Sequence, residues 1–377
     1  MTSGATKIGI LGGGQLGRML VQSAYNYNVE VHVLDPDENA PCATVTRYFS
    51  SGDITDEKTV NSFGKDLDTV TIEIENVSTS GLKQLQESGV KVFPQPGVIE
   101  LIKSKSKQKQ FFKENRFPTA NFSIFPDLAS VQEATHDFPV IQKKSVGGYD
   151  GKGVVKISSQ DEIKTGFDCE SVIEECLEVE KEISVIVARN TSGEIAVYDP
   201  VEMVFDNAAN ILDYLLSPAQ VDRSILTAAR RIALEIIQKL NMIGILAVEF
   251  IIDKDSRLLV NELAPRPHNS GHHTIEAAVT SQYEQHLRAI CGLPLGDTSS
   301  RKNAAMLNIL GEPGYSGRAV LSGLDKILGQ PDIHWHWYAK KETRPGRKMG
   351  HVTALADDLD SLIGKVEIIK KNIRVYS

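Results

Sequence analysis

Long apolar runs are missing from this sequence. No stretch approaches the ~20 residues that span a bilayer, and the start MTSGATKIGIL has neither a charged n-region nor a long apolar segment after it, so neither a membrane span nor a leader is expected. Cysteine is scarce. Cys42, Cys169, Cys176 and Cys291 are scattered without C-x-x-C spacing, which disfavours a disulfide framework or a zinc site and favours reduced thiols in the cytoplasm. Positive charge is also short: 41 Lys and Arg against 49 Asp and Glu give a net charge of −8, which tells against a nucleic-acid binder. Internal repeats and low-complexity tracts are absent, and so is a Walker A loop, since Lys152 is followed by Gly153 rather than Ser or Thr. What remains is a 377-residue chain, 41% hydrophobic and 24% charged, long enough for two or three domains and a sizeable core. An acidic chain that handles anionic substrates must gather positive charge locally.

Strand and helix alternate through the first hundred residues. KIGIL (7–11), EVHVLD (30–35), TVTIEIEN (69–76) and VKVFP (90–94) read as strands, with helices from Gln15 to about Asn26 and near 56–65. This βαβ series predicts a parallel sheet. A lysine-rich helix is expected over 101–116, and Pro118 with FPTANFSIFP marks a boundary. Short strands follow in FPVIQKK, GVVKI, SVIEECL and EISVIVAR, then a long helix at about 218–240. GILAVEFII and RLLVNELA flank the turn DKDS as a β-hairpin. Strands at 304–310 and 333–338, a basic stretch KKETRPGRKMGH (340–351) and a terminal helix complete the chain.

Five segments carry chemistry. Gly12, Gly14 and Gly17 spell G-x-G-x-x-G between a strand and a helix, and Asp35 ends the second strand. That pattern fits a nicotinamide or flavin site, another anion at the helix N-terminus, a nucleotide's phosphate, or a tight turn with no ligand. SVGGYDGKGV (145–154), after Lys143 and Lys144, is a second glycine-rich basic loop of the kind that exposes backbone N–H groups to phosphate. A four-residue turn at 254–257 sets Glu249 opposite Glu262. Two facing carboxylates on a buried sheet repel unless a cation lies between them, and Mg²⁺ bridging nucleotide phosphates is the natural one, with Asn261 as a nearby oxygen. In APRPHNSGHH (264–273), Arg266, His268 and Asn269 converge beside those carboxylates as a catalytic surface. EECLEVEKE (174–182) reads either as a solvated turn or as a purine site with Glu182 on the ribose. Lys340, Lys341, Arg344, Arg347 and Lys348 form either a solvated basic loop or an oxyanion pocket.

Taken together, GGGQLGRML, TIEIEN, KKSVGGYDGKG, VEF…VNELAPRPHNSGHH and RPGRKMGHV resemble the signature segments of the N5-carboxyaminoimidazole ribonucleotide synthetases, ATP-grasp enzymes of purine biosynthesis. The resemblance spans about residues 7 to 355. It implies an α/β architecture of three parts: a Rossmann-like pre-ATP-grasp domain (1–100), an ATP-grasp domain (101–295) with a lid at about 118–180, and a small C-terminal domain (296–377). It further implies ATP, Mg²⁺ and bicarbonate as reaction partners of 5-aminoimidazole ribonucleotide, a carboxyphosphate intermediate, a cytoplasmic homodimer, and a separate mutase that takes the product.

By the same resemblance Gly148, Tyr149, Asp150, Gly151, Lys152, Gly153 and Val154 form the lid loop over the ATP phosphates, with Lys105 and Lys143. Glu174, Glu175, Cys176 and Leu177 hold adenine, and Glu182 the ribose. Asn261 and Glu262 face the ATP, and Glu249 and Glu262 hold the metal. Tyr149, Arg266, His268, Asn269 and Lys348 surround bicarbonate and imidazole. Gly14, Gln15, Leu16, Glu73, Glu75 and Asn76 line the ribonucleotide pocket, and Lys340 and Arg347 take its phosphate. The sequence departs from the pattern at Phe205, where many members have His, at Lys105, where many have Arg, and at Ala264, where the wider superfamily often has Asn. A formate-dependent glycinamide ribonucleotide transformylase and an NAD-dependent oxidoreductase are the alternatives.

Overall fold

The computed structural model describes residues 6–148, 153–206 and 211–377. Its first unit is a five-stranded sheet, β1 (Thr6–Leu11), β2 (Val29–Asp35), β3 (Tyr48–Ser51), β4 (Thr69–Ile72) and β5 (Lys91–Val92), in the order β3-β2-β1-β4-β5. All four pairings are parallel. Helices α1 (Gln15–Ala24), α2 (Glu57–Gly64) and α3 (Thr79–Glu87) cover it. KIGIL is apolar on both faces for that reason: Ile8 and Ile10 enter one core with Leu20 and Val33, and Leu11 enters another with Val70 and Ile72. The strand read in TVTIEIEN stops at Ile72, because the next residue, Glu73, turns its carboxylate onto the glycine loop.

The lysine-rich helix is two helices, α4 (Pro96–Lys103) and α5 (Lys105–Glu114). Ser104 breaks them apart with an extended backbone (φ −108°, ψ 114°) and caps α5 by accepting from the Lys107 N–H. A four-stranded antiparallel sheet follows, β6 (Phe122–Phe125), β7 (Val140–Lys144), β8 (Val154–Ile157) and β9 (Ser171–Glu175), ordered β6-β9-β7-β8, with α6 (Leu128–Glu133) beside it. The loop SVGGYDGKGV joins β7 to β8, and its residues Tyr149, Asp150, Gly151 and Lys152 lie outside the described residues.

The largest sheet has nine strands. They are β10 (Val179–Arg189), β11 (Ile195–Val197), β12 (Val201–Asp206), β13 (Ile211–Ser217), β14 (Gly244–Asp253), β15 (Leu258–Ala264), β16 (Asn303–Leu310), β19 (Ile333–Trp337) and β21 (Lys348–Ala356). Their order is β15-β14-β10-β12-β13-β16-β21-β19, with β11 on β10. Two short pairs stand apart from it, β17 (Gly317–Arg318) with β20 (Glu342–Thr343) and β18 (Val320–Ser322) with β22 (Arg374–Tyr376). Four more helices complete the fold, α7 (Arg223–Lys239), α8 (Thr274–Ala277), α9 (Gln282–Ile290) and α10 (Leu324–Leu328), before the terminal α11 (Leu359–Asn372). The sheet crosses residue 296 without a break, since β13 pairs with β16. Lys348 opens a central strand, β21, where the sequence suggested only a basic stretch. No helix among the described residues is long and apolar enough to cross a membrane.

Helix α9 ties the units together. Tyr283, Leu287 and Ile290 pack with Ile8, Leu16 and Leu20 of the first sheet and α1. His286, fully buried, accepts from the Ile245 N–H at 3.2 Å through Nδ1 and meets Thr71 Oγ1 at 2.9 Å through Nε2. Nδ1 being an acceptor, the proton sits on Nε2.

Candidate active site

The glycine loop between β1 and α1 already holds an anion, and it is the protein's own. Glu73 Oε1 accepts from the Gly14 N–H and Oε2 from the Gly17 N–H, each at 2.6 Å. Gly12, at φ +99°, gives the turn its left-handed backbone, and a Cβ there would come within 2.5 Å of Glu73. Asp35 accepts from the Gly13 N–H at 2.6 Å. The amides that a dinucleotide's pyrophosphate would need are therefore engaged. Burial pushes the Glu73 carboxyl above its ordinary pKa, against the pull of those two N–H groups. Leu16 points into the core, so it can offer a ligand only backbone, while Gln15 is half-buried and Asn76 exposed. Glu75 takes Arg266 Nε at 2.8 Å, which joins this loop to the segment after β15.

Glu249 of β14 does face Glu262 of β15. The register behind that pairing differs from a plain hairpin: Phe250 pairs with Val260, and Asn261 is the extra residue of a bulge that restores the carboxylates' opposition. Glu249 also pairs with Ser184 on β10, so Glu182, two residues along, lies on the same sheet face. Burial, then the charges of Glu262 and Glu182, drive the Glu249 carboxyl upward; the Lys105 ammonium holds Glu262 well below the usual range. Burial likewise pushes Glu182 up to about 7. Glu249 and Glu262 together offer the hard oxygens that a divalent cation takes. Among the described residues no group of three or more His, Cys, Asp or Glu is arranged to hold a metal, so a cation there would draw further ligands from elsewhere.

Cations line one side of this pair. Lys105 bonds Glu262, and Lys143 donates to Asn261 Oδ1 at 3.1 Å. Glu174 is buried between two lysines, Lys143 at 2.9 Å and Lys109 at 3.1 Å. Burial opposes its charge, but the two ammonium groups outweigh that and lower its pKa. Its carboxylate is thus a counter-ion of the lysine row. Glu175 instead accepts from Asn121 through backbone and side-chain N–H groups at 2.9 and 3.0 Å, and Cys176 and Leu177 form the crossing between β9 and β10. Lys109 escaped the sequence reading. It stands four residues after Lys105 on α5, the spacing that puts both on one helix face. Burial brings its pKa down to about 8.

On the other side lies His268. Its Nε2 is 3.3 Å from Glu249 Oε1, and its Nδ1 accepts from the Ser270 N–H at 3.3 Å, which leaves the ring proton facing the carboxylate. Ser270 Oγ reaches both His268 Nδ1 (2.9 Å) and Ser184 Oγ (2.8 Å). Asn269 Oδ1 is buried with no hydrogen-bond partner among the described residues. Lys340 donates to the Lys348 carbonyl at 2.7 Å. Burial, then the charges of Arg347, Lys348 and Arg344, brings Lys340 down to about 8, with Glu73 pulling the other way. The basic tail therefore meets the glycine loop. Arg347 donates to the Glu342 carbonyl at 2.8 Å.

Profiles of three domains match in series: the ribonucleotide synthetase preATP-grasp domain over 5–103, the ATP-grasp domain over 110–283, and the phosphoribosylaminoimidazole carboxylase C-terminal domain over 304–365. The N5-carboxyaminoimidazole ribonucleotide synthase of Staphylococcus aureus (strain COL) is 37% identical over 366 residues, 95% of this chain and 94% of that protein. The chain belongs to the N5-carboxyaminoimidazole ribonucleotide synthase family. A solved synthetase of this family from Thermotoga maritima superposes with a TM-score of 0.91 at 40% identity over 99% of both chains. A chloroplastic phosphoribosylaminoimidazole carboxylase of Vigna aconitifolia is 37% identical over 96% of this chain, and the chain spans 66% of its length. An Aspergillus clavatus synthase solved with ADP and 5-aminoimidazole ribonucleotide has a TM-score of 0.87 at 29% identity, over 97% of this chain and 99% of that one.

Membership in the synthase family makes this chain an ATP-grasp ligase, and the oxidoreductase alternative falls. Within the family fold, the candidate residues gather where the hairpin of β14 and β15, the segment 265–273 and the N-terminal glycine loop meet.

Proposed function

We propose that the protein carboxylates 5-aminoimidazole ribonucleotide on its exocyclic amine, with ATP and bicarbonate as co-substrates and carboxyphosphate as the intermediate. The observation that carries this is the two-sided carboxylate pair: Glu262 against Lys105, with Lys143 on the adjacent Asn261, and Glu249 against His268. One side suits nucleotide phosphates and the other an anionic carboxyl donor and a base.

ATP is held on the lysine side. Lys105 and Lys143 neutralise its phosphates, the 148–154 loop covers them, Glu174 to Leu177 border the adenine, and Glu182 accepts from the ribose. Mg²⁺ at Glu249 and Glu262, with Asn261 nearby, would neutralise phosphate oxygens when bound. Bicarbonate oxygen attacks the terminal phosphorus, the bond to ADP breaks, and carboxyphosphate forms. The ribonucleotide lies along Gly14–Leu16, Glu73, Glu75 and Asn76, with its phosphate on Lys340 and Arg347. Its amine then attacks the carboxyl carbon, directly or as released CO₂, and inorganic phosphate leaves. Arg266, Asn269 and Lys348 hold the anions, and His268 carries the proton that the amine gives up. A cytoplasmic homodimer handing its product to a separate mutase completes the reading. The test is ADP release with and without ribonucleotide and bicarbonate: the full rate requires both.

A further inference from the structure

We propose that Gln282 is a positioning residue for the reaction, its side-chain amide clamping the backbone of His268 so that the imidazole stays beside Glu249. The proposal rests on the reading of His268 given above. Gln282 is fully buried at the start of α9. Its Oε1 accepts from the His268 N–H at 2.9 Å, and its Nε2 donates to the His268 carbonyl at 2.8 Å. One amide thus satisfies both peptide groups of a single residue.

Those groups have no strand to satisfy them. His268 follows Arg266 and Pro267 in the irregular stretch between β15 and the turn at Asn269–Gly271. The His268 carbonyl also accepts from the Gly271 N–H at 3.0 Å, so what the glutamine alone supplies is a partner for the half-buried His268 N–H and a second donor to the carbonyl. The surrounding chain is shaped around the amide. The Gln282 N–H donates to Thr274 Oγ1 at 2.8 Å, Nε2 lies 3.3 Å from His272 Nδ1, and a Cβ on Gly271 would come within 2.4 Å of Gln282 Oε1. One helical turn on, His286 fixes α9 to β4, which leads to Glu73, and to β14, which carries Glu249. Gln282 therefore sets His268 in the same frame as both halves of the site.

The experiment is a double-mutant cycle on the full chain, with Gln282→Met, Gln282→Glu, His268→Asn and both double variants, reading ADP and carboxylated product. Gln282→Glu keeps the acceptor for the His268 N–H and sets a carboxyl against the His268 carbonyl, and the thermal midpoint of each variant separates a lost fold from a lost clamp. In the single variants kcat for product falls about tenfold or more while the KM for ATP moves less than about twofold, because the nucleotide residues sit on other elements. In the His268→Asn background the same changes add less than about twofold. Wild-type kcat in Gln282→Glu, or a full multiplicative loss on top of His268→Asn, overturns the clamp. If the wild-type protein releases no ribonucleotide-dependent ADP, the functional reading itself falls and takes the clamp's role with it.

Discussion

Glu73 sets its two carboxylate oxygens on the backbone N–H groups of Gly14 and Gly17, each at 2.6 Å. With Asp35 on the Gly13 amide as well, the glycine N–H groups that a pyrophosphate would use are already taken by the protein's own carboxylates. NAD(H) is therefore expected to leave the thermal midpoint unchanged, whereas ATP with Mg²⁺ raises it by mass action. Equal shifts from both nucleotides would contradict the reading.

The opposed glutamates give a second prediction. Glu262→Gln removes one charge from the pair and the partner of Lys105, and ADP formation falls by orders of magnitude while the protein stays folded. Near-normal turnover at ordinary Mg²⁺ would show that the carboxylate serves no cation.

Glu182 yields a pH dependence. Burial raises its pKa from 4.5 to about 7 in the folded protein. As pH climbs through that window the unfolded chain has released the proton and the folded chain still holds it, so stability falls with rising pH, by at most about 3 kcal/mol. Urea unfolding of the ligand-free protein at the two ends of the window should show that decline, and Glu182→Gln should reduce it. Glu249 pushes the same way and remains in the variant. An unaltered decline in Glu182→Gln would place the effect elsewhere.

Arg347→Ala tests the phosphate pocket. A charge-assisted contact is worth about 1.5–3 kcal/mol, so the KM for the ribonucleotide should rise about tenfold or more with that for ATP nearly constant. Equal rises would indicate general damage.

Much of this was legible in the residues. Apolar KIGIL strands and the G-x-G-x-x-G turn announce a parallel sheet, and the VEF…NEL hairpin sets Glu249 against Glu262. What stayed hidden depends on contacts distant in sequence. Nothing local in TIEIEN says that its first glutamate will leave the strand for the Gly14 and Gly17 amides, fifty-odd residues away. The bulge at Asn261 repairs a register that the turn alone would have set differently. Lys109 had a usable signal in its spacing from Lys105, but Gln282 had none: a buried glutamine at a helix start looks like any other cap neighbour until the backbone of His268 is seen against it.

The most direct measurement is the ratio of labelled carboxylated ribonucleotide to ADP, taken from one rapidly quenched reaction with labelled bicarbonate. The account predicts one labelled product per ADP in the wild-type protein and a fall in that ratio when Lys348 is changed to Ala, with ATP binding retained. ADP released at the same rate without ribonucleotide, or label that never enters the product, would contradict it.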